Sequence, residues 1–403
     1  MALAESYKAF LLDLDGVLFR GDQPIAAAAP TVSALRGMGK RLVFLTNNSA
    51  RTPEQVAEKL AGLGIDVPAE EVVTSAQATA ELLARQADGE TVTAYVIGQD
   101  GVRSALEGAG FEVLEGEPSD ASFVVVGWDN QVTYEALRRA TVLVRGGAKL
   151  VATNADASYP APGGELWPGA GAILAAVETA SDARATVIGK PHRPLFEAAL
   201  DRVGTWDALM VGDRIETDLV GAVSTGIDAA LVLSGVSTPG ELLEHDALPV
   251  AILPDVGGLL EDRPRVTPRP AEAGEMGAVR ALTEAPDTAP AWGADGVWVI
   301  ADGEVDATAT IDVRGEDAYL RAVATREGLR RHRLGTLVVA AAVGSARRGG
   351  AKRAWLLTET AERFFTTLGF ETVDRASIPG WIEAGPADAC PTTAVAMRRE
   401  MPQ

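Results

Sequence analysis

The chain has 403 residues, 47% of them hydrophobic, which is enough for two or three domains with sizeable cores. It contains no apolar run of about 18 residues, no signal-peptide pattern and one cysteine, Cys390, so we expect a cytoplasmic protein without a membrane span or an internal disulfide. Asp and Glu number 56 against 36 Lys and Arg, and the net charge of -20 disfavours nucleic acid as a partner.

Short apolar runs alternate with helix-like segments in the first part of the chain. The stretch 52–65 predicts a helix that begins at a capping box formed by Thr52 and Gln55. Buried strands that alternate with helices indicate an α/β fold with a parallel sheet, whose ligands bind at the carboxyl ends of the strands. The apolar runs are residues 8–13, 41–46, 208–213 and 229–233.

A second set of strands begins near residue 92 and interrupts this pattern until about residue 182. We interpret it as a domain inserted into the first one. A charged, proline-rich stretch then predicts a linker, and a separate small α/β domain follows it. The predicted boundaries are a discontinuous core at 1–82 and 183–262, an insertion at 83–182, a linker at 263–274 and a C-terminal domain at 275–403.

The first apolar run ends in Asp13-Leu14-Asp15-Gly16. Side chains two positions apart in a strand point to the same side, so Asp13 and Asp15 repel each other unless positive charge lies nearby. On these residues alone, an ordinary strand that ends in an Asp-Gly turn is a better explanation than a functional site.

Three further polar motifs follow predicted strands, and the four together resemble the haloacid dehalogenase (HAD) superfamily of phosphotransferases over roughly residues 5–260. Each motif alone is a weak signal, because Asp-Gly, Gly-Asp and Lys-Pro are common in turns and at surfaces. The further motifs are Thr46-Asn47-Asn48-Ser49, Gly189-Lys190-Pro191, and Gly212-Asp213 with Asp218.

The resemblance implies a catalytic role for three of these side chains. Asp13 corresponds to the nucleophile that forms an aspartyl phosphate, and Asp15 to the acid that protonates the leaving alkoxide and then activates water. Lys190 supplies positive charge to the transferring phosphoryl group. Phosphoryl transfer needs these components on physical grounds as well.

The resemblance also implies the binding residues of the site. Mg2+ is expected on Asp13, Asp213 and the main-chain carbonyl of Asp15, and this dication explains why the paired aspartates tolerate each other. Asp218 braces the loop or the outer coordination sphere, or is a simple helix cap. The phosphate-binding residues are expected to be Thr46, Asn47 and Asn48.

The insertion lies between the second and third motifs, which resembles the larger, C2-type cap of the superfamily. Such a cap closes over the site and leaves room for small substrates only. Within it, Asn154, Asp156, Gly169 and Gly171 match the family's signature, and we expect Asn154 and Asp156 to bind substrate. Turn chemistry is the alternative explanation for these residues.

Three other polar or aromatic residues lie near the motifs. Trp128 and Asp129 end a cap strand, where both could line the substrate pocket. A buried structural role is the alternative for Trp128. His192 follows Lys190 closely, but a lone histidine there is more often structural than catalytic.

Members with this cap dephosphorylate glycerol 3-phosphate, phosphoglycolate, pyridoxal phosphate, nucleotides or p-nitrophenyl phosphate, and the active-site motifs do not choose among them. The C-terminal domain does, because a HAD phosphatase joined to an acetyltransferase-like module resembles the actinobacterial glycerol 3-phosphate phosphatases that recycle phospholipid polar heads. We therefore expect glycerol 3-phosphate as the substrate and Mg2+ as the cofactor.

The C-terminal stretch 326–342, with the segments after it, resembles the GNAT acetyltransferases. Their pyrophosphate loop matches Arg330 and Gly335, but Arg333 replaces the first glycine. The pair Phe364-Phe365, whose Phe365 has no hydroxyl to donate, stands where a tyrosine often protonates the thiolate. We therefore expect weak acetyl-CoA binding and a domain kept for packing or for a homodimer. An active N-acetyltransferase or a CoA sensor is the alternative.

Overall fold

The computed structural model describes residues 2–86, 92–160, 165–263, 265–283, 296–383 and 393–402. Cys390 and residues 161–164 of the cap signature lie outside the described residues. The chain divides into two compact units, Ala2–Gly235 with Pro254–Glu261, and Val236–Leu253 with Asp262–Gln403. Among the described residues, no helix is long and apolar enough to cross a membrane.

The first unit begins with the first half of an α/β core. Its helix α3 starts at the predicted capping box, where Thr52 Oγ1 accepts from the Gln55 N–H at 3.4 Å and the Thr52 N–H donates to Gln55 Oε1 at 3.0 Å. The elements are α1 (Leu3–Ser6), β1 (Ala9–Asp13), β2 (Phe19–Arg20), β3 (Gln23–Pro24), α2 (Ala28–Gly37), β4 (Arg41–Thr46), α3 (Pro53–Gly62), β5 (Val72–Thr74) and α4 (Ser75–Gln86).

The cap is a second sheet with its own core. Its strands run parallel in the order β12-β9-β8-β6-β7, with a small antiparallel hairpin of β10 and β11 beside them. The last cap strand lies beyond residue 182, where we expected the cap to end. The elements are β6 (Thr93–Ile97), α5 (Asp100–Gly108), β7 (Glu112–Leu114), β8 (Phe123–Val126), α6 (Tyr134–Arg145), β9 (Lys149–Ala152), β10 (Ser158–Pro160), β11 (Leu166–Pro168), α7 (Ala170–Ser181) and β12 (Thr186–Val187).

The chain then returns to the core sheet. All described pairings among its strands β14-β13-β1-β4-β5 are parallel, and every residue of β1 is buried. Because parallel strands end at one edge, the residues after β1, β4 and β13 lie together. The returning elements are α8 (Arg193–Val203), β13 (Ala208–Gly212), a π-helical turn (Ile215–Leu219), α9 (Val220–Thr225) and β14 (Asp228–Val232).

The second unit contains a seven-stranded sheet in the order β16-β17-β18-β19-β20-β22-β21. Its described pairings are antiparallel except for β19 with β20, which pair in parallel over a short register, Asp317–Tyr319 with Arg353–Trp355. The elements are β15 (Ala251–Leu253), β16 (Arg269–Pro270), α10 (Met276–Leu282), β17 (Val297–Asp302), β18 (Glu304–Arg314), β19 (Asp317–Thr325), α11 (Leu334–Arg348), β20 (Arg353–Thr358), α12 (Glu362–Thr367), β21 (Glu371–Val373), α13 (Gly380–Glu383) and β22 (Val395–Glu400).

Two segments differ in place from the expected domain boundaries. The stretch 263–274, which we expected to be a linker, contributes β16 to the seven-stranded sheet. Residues Val236–Leu253, which we expected in the core, group with the C-terminal unit. The predicted fold class, a parallel α/β core with an inserted cap and a C-terminal α/β domain, is confirmed.

Candidate active site

Four strand ends bring the predicted catalytic side chains together. Asp13 is the last residue of β1 and Thr46 the last of β4, while Asp213 follows β13 and Lys190 follows the cap strand β12. The strands β13 and β4 flank β1 on its two sides. The order of the core strands therefore places Asp13, Thr46 and Asp213 at one edge of the core sheet, and the chain that leaves the cap strand β12 brings Lys190 to Asp13.

Lys190 lies between two carboxylates. Its ammonium Nζ is 2.7 Å from Asp13 Oδ1 and 2.7 Å from Asp218 Oδ1, and its side chain is only 4% exposed. Asp218 also accepts, through Oδ2, the N–H groups of Asp213 at 3.1 Å and Arg214 at 3.0 Å. Asp218 thus holds the loop that carries Asp213 and pairs with the lysine.

Burial and charge set the ionisation of this group. Burial raises the pKa of Asp13 well above its ordinary value, and Lys190 offsets part of this effect. Burial alone lowers the pKa of Lys190, but the carboxylates of Asp13 and Asp218 outweigh it and raise that pKa above its usual range. Lys190 is therefore a fixed positive charge at neutral pH.

Three buried carboxylates, those of Asp13, Asp213 and Asp218, converge so that one oxygen of each lies within 4.8 Å of the others. Space beside Asp213 Oδ2 depends on glycine, since a Cβ at Gly16 would lie 2.3 Å from that oxygen and one at Gly235 would lie 1.9 Å from it. Carboxylate oxygens are the donors that Mg2+ prefers, so these residues fit a divalent cation.

Asp15 occupies a different position from the acids of this cluster. Its side chain is exposed at the mouth of the site, and its main chain bridges to Phe19 at the start of the β2–β3 hairpin. Surrounding protein nevertheless desolvates the carboxyl group and raises its pKa, against the opposing charges of Lys59, Lys190 and Arg214. The carboxyl of Asp15 is thus separate from the carboxylates that converge around Asp213.

Asn47 lies next to the site but is bonded to protein groups. Its Oδ1 accepts the Lys190 N–H at 2.7 Å, and its Nδ2 donates to the Lys190 carbonyl at 3.1 Å and to the Asp156 carboxylate at 3.2 Å. The Asn154 amide donates to the Asn47 carbonyl at 2.8 Å. The structure therefore brings Asn47, Asn154 and Asp156 to Lys190, where sequence reasoning had expected phosphate and substrate contacts.

The other predicted phosphate-binding residues shape their own loop. Thr46 Oγ1 accepts the Asn48 N–H at 3.0 Å, and Asn48 Oδ1 accepts the Ala50 N–H at 2.9 Å. Thr46 is buried and Asn48 is exposed. This side chain-to-backbone bonding fixes the turn after β4.

A polar cavity of about 940 Å³ lies between the core and the cap. Its lining contains three cations that the sequence did not single out, Arg51, Lys59 and Arg103, and the first two oppose the raised pKa of Asp15. The Lys59 ammonium lies 3.9 Å from the centroid of the Phe19 ring. The sequence held one signal for Lys59, since it lies on the helix that follows the second motif. A lysine on such a helix is usually only a solvated surface residue.

The other residues that the sequence singled out, Trp128, Asp129 and His192, separate into two groups. Asp129 lines the cavity, and Trp128 packs edge-to-face on Tyr159 at 5.0 Å while its Nε1 donates to the Pro168 carbonyl at 3.2 Å. His192 is exposed and begins α8, with no side-chain capping bond. This histidine contributes no described contact to the catalytic cluster.

The C-terminal loop has an unusual backbone. Arg333 adopts φ 57° and ψ 26°, a left-handed conformation, directly before α11, and both Arg330 and Arg333 are exposed. A Cβ at Gly335 would lie 3.5 Å from the ring of Phe364, whereas Phe365 is buried. Of the aromatic pair Phe364-Phe365, Phe364 is thus the residue that faces the loop.

Comparison with known families explains both units. Residues 10–112 match the haloacid dehalogenase-like hydrolases, residues 187–259 match a second HAD-hydrolase-like model, and residues 269–370 match the acetyltransferase (GNAT) family.

Individual relatives agree with these matches. The chain is 39% identical to an acid sugar phosphatase of Staphylococcus saprophyticus over 260 residues, which are 64% of this chain and 98% of the relative. A glycerol phosphate phosphatase of Mycobacterium tuberculosis, solved in complex with magnesium, is 29% identical, with a TM-score of 0.69 over 92% of this chain and 98% of its own. A p-nitrophenyl phosphatase from Archaeoglobus fulgidus is 28% identical, with a TM-score of 0.59, and the match covers 63% of this chain and 98% of the relative.

The chain therefore belongs to the haloacid dehalogenase-like hydrolases, in a branch whose named relatives are phosphatases, and it carries a GNAT domain at its C-terminal end. Both family resemblances that the sequence suggested are confirmed.

Proposed function

We propose that the protein is a Mg2+-dependent phosphomonoesterase that works through a phosphoryl group on Asp13, with glycerol 3-phosphate as its substrate. The observation that carries this proposal is the buried ammonium of Lys190, 2.7 Å from both Asp13 and Asp218, beside a third carboxylate. A fixed cation next to a buried nucleophile stabilises the charge that develops on a transferring phosphoryl group.

The reaction divides between the two aspartates of the first motif. The Asp13 carboxylate attacks phosphorus, and Asp15, at the mouth of the site, protonates the leaving alkoxide. Asp15 then takes a proton from the water that attacks the phosphoryl group on Asp13, and free phosphate leaves. Burial raises the pKa of Asp15, which favours the protonated form that can donate to the leaving oxygen.

Asp13, Asp213 and the main-chain carbonyl of Asp15 would hold Mg2+, which supplies positive charge against the phosphate and the converging carboxylates. Asp218 keeps the Asp213 loop in place through the two N–H groups it accepts. The M. tuberculosis relative was solved with magnesium and also with calcium, which supports a divalent site here.

The substrate proposal rests on the architecture of the relatives. The M. tuberculosis glycerol phosphate phosphatase aligns with both units, while the acid sugar phosphatase aligns with 64% of the chain.

A phosphate-release panel tests the proposal. We expect Mg2+-dependent turnover, lost in excess chelator, with the highest kcat/KM on glycerol 3-phosphate among sugar phosphates, phosphoglycolate, pyridoxal phosphate and nucleotides. A nucleotide that wins by about tenfold, a difference of about 1.4 kcal/mol in transition-state stabilisation, would reject the substrate assignment. Full activity in chelator would reject the metal.

A further inference from the structure

We propose that Asp156 of the cap is a positioning residue for Lys190, acting through the side-chain amide of Asn47. This inference rests on the proposed function for its kinetic consequences. It replaces the expectation that Asp156 contacts substrate, and it makes the geometry of the catalytic lysine depend on the cap.

Asn47 holds the main chain of Lys190 through two hydrogen bonds. The amide accepts the Lys190 N–H at 2.7 Å and returns a bond to the carbonyl of the same residue at 3.1 Å. A Cβ at Gly189 would lie 2.6 Å from Asn47 Oδ1, so the glycine permits this close approach. The two bonds fix the backbone from which the Lys190 side chain projects.

The side chain of Asp156 orients Asn47 by accepting hydrogen bonds from its amide. Both carboxylate oxygens of Asp156 lie within hydrogen-bond distance of Asn47 Nδ2, at 3.3 and 3.2 Å. A charged acceptor strengthens such a bond and orients the amide, because only the NH2 end of the amide can face a carboxylate. Asp156 thereby determines which end of Asn47 faces the Lys190 N–H.

Asp156 is itself fixed in place by main-chain hydrogen bonds within the cap. Its N–H donates to Asn154 Oδ1 at 3.2 Å, and its carbonyl accepts the Gly171 N–H at 2.9 Å. A Cβ at Gly169 would lie 2.1 Å from that carbonyl oxygen, so this glycine is needed for the packing. The Asn154 amide also reaches the Asn47 carbonyl at 2.8 Å. The cap signature thus forms one network with the catalytic lysine.

Kinetics separate a positioning role from a substrate-binding role. We expect Asp156→Ala to lower kcat about tenfold or more on both glycerol 3-phosphate and p-nitrophenyl phosphate, with KM within about twofold, because the lysine serves the phosphoryl group common to both. Asp156→Asn keeps an oxygen acceptor and should recover most of the activity. Asn47→Ser should share the defect, and the double variant should be no worse than the worse single variant. Asp120→Ala, an exposed cap acid, is the control.

A second readout does not depend on turnover. Amine acylation by acetic anhydride, followed by mass spectrometry, should label Lys190 several-fold more in Asp156→Ala and Asn47→Ser than in the wild type or Asp120→Ala, with exposed Lys8 as the internal reference. Unchanged Lys190 labelling in the folded Asp156 and Asn47 variants would overturn the proposal. A KM increase confined to glycerol 3-phosphate would do so as well. Absence of any turnover by the wild type would instead refute the proposed function, and the labelling would still decide the role of Asp156.

Discussion

At the residue scale, the arrangement around Lys190 is a problem of charge. One ammonium pairs with the buried carboxylates of Asp13 and Asp218, and the carboxylate of Asp213 converges with these two. Burial makes each uncompensated charge costly. A bound dication relieves that excess, which explains why a sequence can tolerate so many acids at one sheet edge. The same negative field would repel a phosphate monoester, so cations at the mouth of the site are needed to attract the substrate.

Lys59 provides such a cation, and its removal should weaken substrate capture. We expect Lys59→Gln to raise KM for glycerol 3-phosphate about three- to tenfold with a small change in kcat, and to reduce the dependence of kcat/KM on ionic strength. The control is Lys8→Gln, because Lys8 is an exposed lysine paired with Asp207. A Lys59 variant with the wild-type KM and salt dependence would remove the residue from substrate capture.

At the element scale, strand ends were predictable and long-range packing was not. The motifs place Asp13, Thr46 and Asp213 at the ends of β1, β4 and β13 because apolar runs and polar turns are local signals. The short strands β7 and β12 carry no periodic pattern, so they could not be seen. The bond from Asn47 to Asp156 joins residues 109 positions apart, and only the folded chain brings them together.

The loop before α11 gives an element-scale prediction. A left-handed backbone at a residue with a Cβ costs about 1–2 kcal/mol, which glycine does not pay. We expect Arg333→Gly to bind acetyl-CoA about tenfold more tightly than the wild type in calorimetric titration of the full chain. Arg330→Gly removes the same charge without relieving the backbone and should not improve binding. Weaker binding by Arg333→Gly would show that its charge outweighs its conformation.

The start of β20 gives a second prediction at the element scale, and it concerns the dependence of stability on pH. Asp317 accepts from Arg353 Nε at 2.7 Å and from Trp355 Nε1 at 2.8 Å. Burial alone raises the pKa of Asp317, but these bonds lower it below its ordinary value. Its stabilising effect is therefore present above the unfolded-state pKa of about 3.9 and is lost as the pH falls through the lower, folded-state pKa.

We therefore expect Asp317→Asn to lower the free energy of unfolding of the C-terminal unit by about 1 kcal/mol at pH 7, since Arg353 is partly exposed. In urea titrations, the difference from the wild type should shrink below pH 4. Asp312→Asn is the matched comparison, because Asp312 pairs with Arg321 but is more exposed than Asp317. A deficit that persists unchanged at low pH would assign the effect to packing.

At the scale of the whole molecule, the boundary between the units does not follow the order of the chain. Residues Val236–Leu253 lie in the chain between Ala2–Gly235 and Pro254–Glu261 of the first unit, yet they belong to the C-terminal unit. There Glu244 pairs with Arg399 at 2.5 Å and Asp246 pairs with Arg347 at 2.6 Å. The acid sugar phosphatase relative is matched over 98% of its length by 260 residues of this chain, so related cores exist without such a unit.

Truncation tests separately whether the C-terminal unit contributes to catalysis and whether it contributes to stability. We expect residues 1–262 to keep kcat/KM within about threefold but to melt several degrees lower, because Glu244 and Asp246 lose their partners. The double variant Glu244→Gln/Asp246→Asn in the full chain should show a smaller decrease in melting temperature. A truncated chain that melts like the full one would contradict the role of these contacts, and a large loss of kcat/KM would make the C-terminal unit part of the catalytic apparatus.

The central claim is that Asp13 carries the phosphoryl group, and acid quench during turnover tests it most directly. Peptide mass spectrometry after mixing the Mg2+-loaded protein with glycerol 3-phosphate or p-nitrophenyl phosphate should find one phosphoryl group on Asp13. The adduct should be labile to hydroxylamine, as an acyl phosphate is, and absent from Asp13→Asn, whose turnover should fall at least about 10³-fold. Phosphate release by the wild type at the normal rate with the phosphoryl group on another residue, or near-normal turnover by Asp13→Asn, would contradict the account.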